Sequence, residues 1–344
     1  MNMNLTDIGT GESTNNDYVN TGVRVALIFP ICFGNSLVIA AIRRTSSLRN
    51  PAHYLVMHLA IADMIVGLLV LVYIPLKVQN ALDTYVYVCV FSFSSIVTTA
   101  MASTLFLLSI AVDRYISIAS PLRYTIMMTS SRVHRASIAI WLISISLFLV
   151  IPLIWHNDFD GGTRKDCDLL KMNKREYLAY FAVPQFVCLA AVIVGLYCRV
   201  FYIAHRNGNR RVVTETRARQ RLNSNLKIFQ MAAIIFGFFG LCWFPSLVLM
   251  GVYVYSDTVP MDVLTKAYKY ASSLVLVNSA LNPAIYTWQS KRIRRAFKKL
   301  LHIKTERFAN GSSVRAGRYE SQSHTESSIS LTLNSQRSKA RTAL

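Results

Sequence analysis

The sequence predicts an all-α membrane protein: a seven-transmembrane helix bundle followed by a short cytoplasmic amphipathic helix. Three observations carry this. Of the 344 residues, 53% are hydrophobic and only 16% are charged, whereas an average soluble domain is nearer a quarter charged. The apolar residues are gathered into seven runs, each long enough for the about 20 helical residues that cross a hydrocarbon core of roughly 30 Å. The 37 Lys plus Arg outnumber 17 Asp plus Glu, a net charge of +20, and the cations sit in alternate connections. High apolar content with strong basicity leaves a membrane protein or an apolar nucleic-acid binder. The runs decide for the first, because a water-soluble helix would show a polar face every third or fourth position. Disorder throughout is excluded, and six Cys are too few for a small disulfide scaffold.

The first run, Val25–Ile42, carries no charge and holds Asn35 mid-helix. Tyr54–Leu76 follows, with the carboxylic acid Asp63 near its centre, and Tyr87–Val112 leads into Asp113-Arg114-Tyr115 where the third helix reaches the membrane surface. Ala136–Trp155 and Tyr177–Ile203 are the fourth and fifth spans. The sixth, Ile228–Tyr255, contains Cys242-Trp243-Phe244-Pro245, and the seventh, Tyr270–Trp288, contains Asn282-Pro283-Ala284-Ile285-Tyr286. Pro245 and Pro283 each remove a backbone hydrogen bond and kink their helices. Beyond them, Lys291 to Leu301 places Ile293, Phe297 and Leu300 at helical spacing among cations. That pattern describes a helix lying on the inner leaflet, held by apolar burial and anionic lipid.

Orientation follows from Lys and Arg. The first link (Arg43, Arg44, Arg49), the third (Arg123, Arg132, Arg135), the fifth (Arg206 to Arg221) and the stretch from Lys291 are basic. The N-terminal stretch and the even-numbered links are poorer in cations and carry Asp7, Glu12, Asp17, Asp83, Asp158 and Asp160. The N-terminus is therefore expected outside and the C-terminus in the cytoplasm. The positive charge reads as topology and headgroup contact, with no nucleic acid as partner. Residues 1–21 form an extracellular N-terminus without an apolar leader, residues 22–301 the bundle and amphipathic helix, and residues 302–344 a disordered cytoplasmic tail. Asn4-Leu5-Thr6 is a sequon on the outer side, so Asn4 is a glycosylation candidate.

Polar groups inside the spans are expensive and mark function. Asp63, Ser103, Asn278, Ser279 and Asn282 supply carboxylate, hydroxyl and amide oxygens suited to a hard cation, here an allosteric sodium ion, although a polar network joining helices would use the same residues. No other cofactor is expected. About 37 Å of helix separates Cys89 from Arg114, so Cys89 faces outside and can pair with Cys167, the other Cys expected in the oxidising space.

GNSLV around Asn35, LAIAD around Asp63, DRY at 113–115, Trp141, CWFP at 242–245 and NPAIY at 282–286 occur in order, nearly one per helix. The ensemble resembles the rhodopsin-like (class A) G-protein-coupled receptors over roughly residues 22–301. The resemblance implies an extracellular small-molecule pocket and a cytoplasmic crevice that opens to a heterotrimeric G protein when the sixth helix swings out. It implies that Asp113 holds Arg114 at rest, that Tyr115, Pro245, Asn282 and Pro283 belong to the activation machinery, and that Tyr197 and Tyr286 meet beneath the opened sixth helix. Asp63, Ser103, Trp243, Asn278, Ser279 and Asn282 match the family's sodium pocket. Many relatives carry an acid at the position of Asn225 that locks the arginine; its absence predicts easier opening and basal signalling.

LRNPAHYLVMHLAIADMIVGLLV, CDLLKMNKREYLAYF and GLYCRVF resemble adenosine receptors in framework, with melanocortin- and cannabinoid-like features elsewhere. The family's ligand residues do not carry over. The aminergic Asp corresponds to Ile96 and the opsin Lys to Leu276. The adenosine-binding Asn corresponds to Met250, and other adenosine contacts to Leu169, Leu170 and Leu276. The expected pocket is Ile96, Val97, Ala100, Leu169, Phe181, Gln185, Trp243, Ser246, Leu247, Met250, Ser272 and Leu276, an apolar cup suited to a neutral or lipid-like ligand. An adenosine-type ligand is the alternative. The fifth-helix register is counted from Tyr197, which places the family's Pro at Leu189, whereas the chain has Pro184. The tail offers Ser321, Ser323, Thr325, Ser327, Ser328 and Ser330 to receptor kinases and arrestin, and Thr342-Ala343-Leu344 fits a PDZ ligand. From another class, an ion-coupled transporter would use Asp63 and the broken helices as an ion path, but no inverted repeat is visible. The accessible segments hold no enzyme motif, so covalent catalysis is not expected.

Overall fold

Three side-chain caps open helices that follow connecting segments. Asn50 accepts the backbone N–H of His53 at 3.0 Å just before Pro51, Thr129 accepts that of Arg132 at 3.4 Å, and Ser290 accepts that of Ile293 at 3.3 Å. Each satisfies an amide that a helix start leaves unpaired. The structure, a computed structural model, describes residues 5–157, 167–210 and 237–302. Asn4, Asn225 and the tail residues named above lie outside the described residues, as does the first part of the sixth run.

The long helices are α1 (Leu5–Arg44), α2 (Pro51–Val78), α3 (Val86–Ala119), α4 (Ser130–Ile154), α5 (Arg175–Ile203), α6 (Gly237–Tyr255) and α7 (Met261–Gln289), followed by α8 (Lys291–Leu300). Six of them are long and apolar enough to cross a membrane by length and composition. Helix α7 is long enough, about 43 Å at 1.5 Å per residue, but carries Asp262, Lys266 and Lys269 at its outer end and Asn278, Ser279 and Asn282 within. Large apolar side chains such as Phe29, Leu71, Leu142 and Phe244 point outward and exposed, the arrangement a lipid solvent permits and water does not.

Helix α3 runs through the middle, against α2, α4 and α5, while α1 packs on α2, α7 and α8. Phe106, Met101, Trp243, Phe186 and Tyr286 share one buried cluster across α3, α5, α6 and α7. Two glycines set the helix spacing. A Cβ on Gly67 would stand 2.7 Å from Cys32 Sγ and 2.8 Å from Ile31 Cγ2; one on Gly34 would stand 2.9 Å from Pro283 Cγ. Small residues let α1 approach α2 and α7 this closely. Gly67→Ala forces α1 off α2, because the β-branched Ile31 cannot swing away, and is expected to cost about 1–3 kcal/mol. A thermal melt in detergent equal to the parent's would refute that packing account.

Two π-turns interrupt the spans, Ser146–Val150 in α4 and Leu178–Ala182 in α5. Each ends two residues before a proline, Pro152 or Pro184. The proline ring lacks an N–H and crowds the carbonyl four residues back, and widening the preceding turn relieves both. Leu178, Ala182 and Phe186 line the outer cavity, and Phe181 and Gln185 do not. Phe181, expected at the cavity, stacks beside Tyr177 with ring centroids 5.9 Å apart.

Candidate functional site

Three layers are stacked along the bundle. The outermost is a cavity walled by α3, α6, α7 and the loop above them. Helix α3 contributes Ile96, Val97 and Ala100; α6 contributes Trp243, Ser246, Leu247 and Met250; α7 contributes Ser272 and Leu276; and the loop above contributes Leu169. Ten of the twelve sequence-predicted positions therefore share one wall system. The structure adds residues the sequence did not single out, notably Arg24, Ser94, Phe148, Met172, Asn173, Tyr177 and Tyr268.

The loop over the cavity is fixed by covalent and polar bonds. Cys89 at the top of α3 is disulfide-bonded to Cys167, with Cα atoms 5.8 Å apart. The Asp83 carboxylate accepts the Cys167 N–H at 2.6 Å and pairs with Lys77 Nζ at 2.8 Å. The short helix Leu169–Met172 is capped by Asp168, whose side chain accepts the N–H of Leu170 at 2.9 Å. Asn157 donates to the carbonyls of Lys171 and Asn173, each at 3.0 Å. At the mouth, the Arg24 guanidinium donates to Ser272 Oγ at 2.8 Å, Ser273 Oγ at 3.2 Å and the Lys269 carbonyl at 3.2 Å, and lies over the Tyr73 ring.

The middle layer is Asp63, fully buried on α2. Ser103 of α3 donates to its Oδ1 at 2.9 Å, Ser279 of α7 to the same oxygen at 2.8 Å, and Asn282 Nδ2 to Oδ2 at 2.7 Å. Asn278 is buried on the same helix but does not bond the carboxylate. Asn35 ties α1 to this layer through the Ser279 carbonyl at 3.1 Å. Ser279 also lines the floor of the cavity, so one side chain touches both layers. The residues fit a monovalent hard cation: the Asn282 amide oxygen is buried without a partner among the described residues, beside a carboxylate and two hydroxyls.

The innermost layer is Arg114, ion-paired to its neighbour Asp113. Asp113 is buried while Arg114 keeps partial exposure. Tyr124, on the short helix Pro121–Met127 of the third link, donates its hydroxyl to Asp113 Oδ1 at 2.7 Å. Burial first, then that bond to a carboxylate, holds the Tyr124 phenol above its usual pKa. Tyr286 is buried and Tyr197 packs against the same core. Trp243 lies between Phe186 and Phe239, with ring centroids 4.8 and 5.8 Å away. Sequence reading missed Tyr124, since nothing in PLRYTIM distinguishes it from a surface tyrosine. Tyr124→Phe is expected to remove about 1–2 kcal/mol of support from Asp113 and to raise ligand-free nucleotide exchange; unchanged basal exchange would argue that the bond has no part in holding Arg114.

The sequence profile described as "7 transmembrane receptor (rhodopsin family)" matches residues 34–286. Among curated proteins, the Equus caballus adenosine receptor A2a is 30% identical over 316 residues, covering 86% of this chain and 76% of the relative. The Homo sapiens adenosine receptor A2b is 28% identical over 288 residues, covering 78% and 85%. The Homo sapiens adenosine receptor A2a is 28% identical over 296 residues, covering 81% and 71%.

Proposed function

The chain belongs to the rhodopsin-like (class A) G-protein-coupled receptors, and from that premise we propose that it reports a small, neutral or lipid-like extracellular ligand, at the plasma membrane, with its N-terminus outside. As a member it is a multi-pass membrane receptor, its framework similar to adenosine receptors, that transmits ligand binding to a heterotrimeric G protein. The observation that carries the ligand reading is the apolar wall of the cavity: Ile96, Val97, Ala100, Leu247, Met250 and Leu276 face it with no acid among the lining residues. Such a wall gains by removing apolar surface from water and gives little to a polar nucleoside.

The mechanism runs inward from Ser279. A ligand seated on Trp243 and Leu276 shifts α6 and α7, which carry Pro245 and Pro283 within them. Movement of Ser279 and Asn282 alters the bonds on Asp63. When α6 swings out, Arg114 leaves Asp113 for the G protein, and Tyr197 and Tyr286 close the gap behind it. Sodium, when bound, supplies a positive charge against Asp63 and favours the resting arrangement. Replacing Asp63 with Asn is expected to remove the stabilisation by sodium relative to choline, about 2.7 kcal/mol at one hundred times the dissociation constant; an equal sodium-dependent melting shift in the variant would reject the site. Arrestin, receptor kinases, a PDZ protein and anionic lipid under α8 are further proposed partners.

A second reading, adenosine itself, is favoured by the similarity to proteins named adenosine receptors. Purified receptor in lipid nanodiscs, with G protein and labelled guanine nucleotide, separates the two. Exchange driven by apolar ligands and not by adenosine supports the first reading. Adenosine-driven exchange overturns it.

A further inference from the structure

We propose that the outer cavity takes an uncharged amphiphile that accepts a hydrogen bond at its deep end and donates one at its mouth. This rests on reading the cavity as the ligand site. Several described hydroxyls in these helices bond their own helix: Thr99, Thr104, Ser137 and Thr287 donate to the carbonyls of Ser95, Ala100, Val133 and Pro283 at 2.7–3.1 Å. Four cavity-lining residues break that habit. Trp243 Nε1, Ser246 Oγ, Ser94 Oγ and Asn173 Oδ1 are buried with no partner among the described residues, and none of these residues is more than 8% exposed. Leaving such groups unpaired is costly; Thr98 Oγ1 and Ser144 Oγ, away from the cavity, are likewise without a partner among the described residues, but the four at the cavity can be satisfied by what enters it.

Their chemistry fixes the polarity of the occupant. Trp243 and Ser246 are three apart on one face of α6, at the inner end. The indole nitrogen only donates, so the deep end calls for an acceptor oxygen such as a carbonyl. At the mouth, the Asn173 amide nitrogen already donates to the Leu169 carbonyl at 2.9 Å. Its unused atom is an acceptor, so the mouth calls for a hydroxyl or N–H. From Trp243 to Met250 is roughly 10 Å along the helix, which sets the length of the apolar body. No acid lines the cavity to pair a cation, and Arg24 at its mouth already donates to Ser272, Ser273 and the Lys269 carbonyl, which favours an uncharged occupant.

The test uses full-length receptor in nanodiscs and matched ten-carbon chains: a methyl ketone bearing a terminal hydroxyl, the ketone alone, the hydrocarbon and the carboxylate. Thermal melts without probe come first. Ser246→Ala and Ser94→Ala are expected to melt at or above the parent, since each removes an unpaired hydroxyl; a fall of several degrees means the hydroxyl has a structural partner and overturns the proposal. With probes, the hydroxyketone is expected to bind best, with Ser246→Ala costing about tenfold in affinity for both ketones and nothing for the hydrocarbon. Equal binding of hydrocarbon and hydroxyketone, or tighter binding of the carboxylate, overturns the polarity while leaving the apolar cavity as the ligand site. No binding by any chain overturns both.

Discussion

Arg114→Ala is expected to reduce receptor-driven nucleotide exchange to the rate of the G protein alone, while ligand binding in the outer cavity persists. The guanidinium stands near the C-terminal end of α3, partly exposed, with its counterion buried beside it. No other described side chain pairs with Asp113 as a cation, so the charge available to the G protein from this layer is that of Arg114. Removing one partner of a fully buried pair costs about 3–5 kcal/mol. The cost here lies below that range, because Arg114 is part-exposed and Tyr124 still donates to Asp113 at 2.7 Å. The variant therefore folds, and melting and ligand binding serve as its controls. Arg114→Lys is expected to recover only part of the activity, since an ammonium lacks the planar fork of donors. Asp113→Asn works in the opposite sense: weakening the resting pair raises exchange without ligand. Full exchange by Arg114→Ala would remove this layer from the coupling route.

The helices were legible because a membrane span advertises itself: about 20 apolar residues in a row have few other uses. The boundaries were less so. Helix α7 begins at Met261, well before the apolar run at Tyr270, because its outer turns carry Lys266 and Lys269 in a polar setting that hydropathy cannot count as helix. The carboxylate layer was legible too, since Asp63, Ser103, Ser279 and Asn282 are each anomalous where they stand in their runs. Arg24 and Tyr124 were not. Arg24 looks like an ordinary boundary cation until α7, some 250 positions later, brings Ser272 and Ser273 beneath it. The fifth helix shows the sharpest loss: Phe181 and Gln185 were expected at the cavity, whereas Leu178, Ala182 and Phe186 line it, and a π-turn lies ahead of Pro184. Backbone irregularity is caused by a residue the sequence displays, yet its effect on facing is settled only by packing.

Cys89→Ser is expected to have the largest effect on stability of any single change considered. The disulfide closes a separation of 78 residues, for which the chain-entropy relation gives about 4.5 kcal/mol. That figure is an upper bound in a membrane, where α3 and α4 stay inserted and the opened chain gains less freedom than a soluble coil. The loop is also held a second way, through the Asp83 carboxylate, which accepts the Cys167 N–H and pairs with Lys77. The two restraints converge on Cys167 from α3 and from the short helix Ala81–Thr84, so removing one shifts load to the other. Cys89→Ser alone is expected to lower the melting temperature and weaken ligand binding, since Leu169, Met172 and Asn173 line the cavity. Adding Asp83→Asn is expected to cost more on the Cys89→Ser background than in the parent, a coupling that a double-mutant cycle reads directly. Additive losses would mean that the disulfide and the carboxylate hold separate parts of the loop.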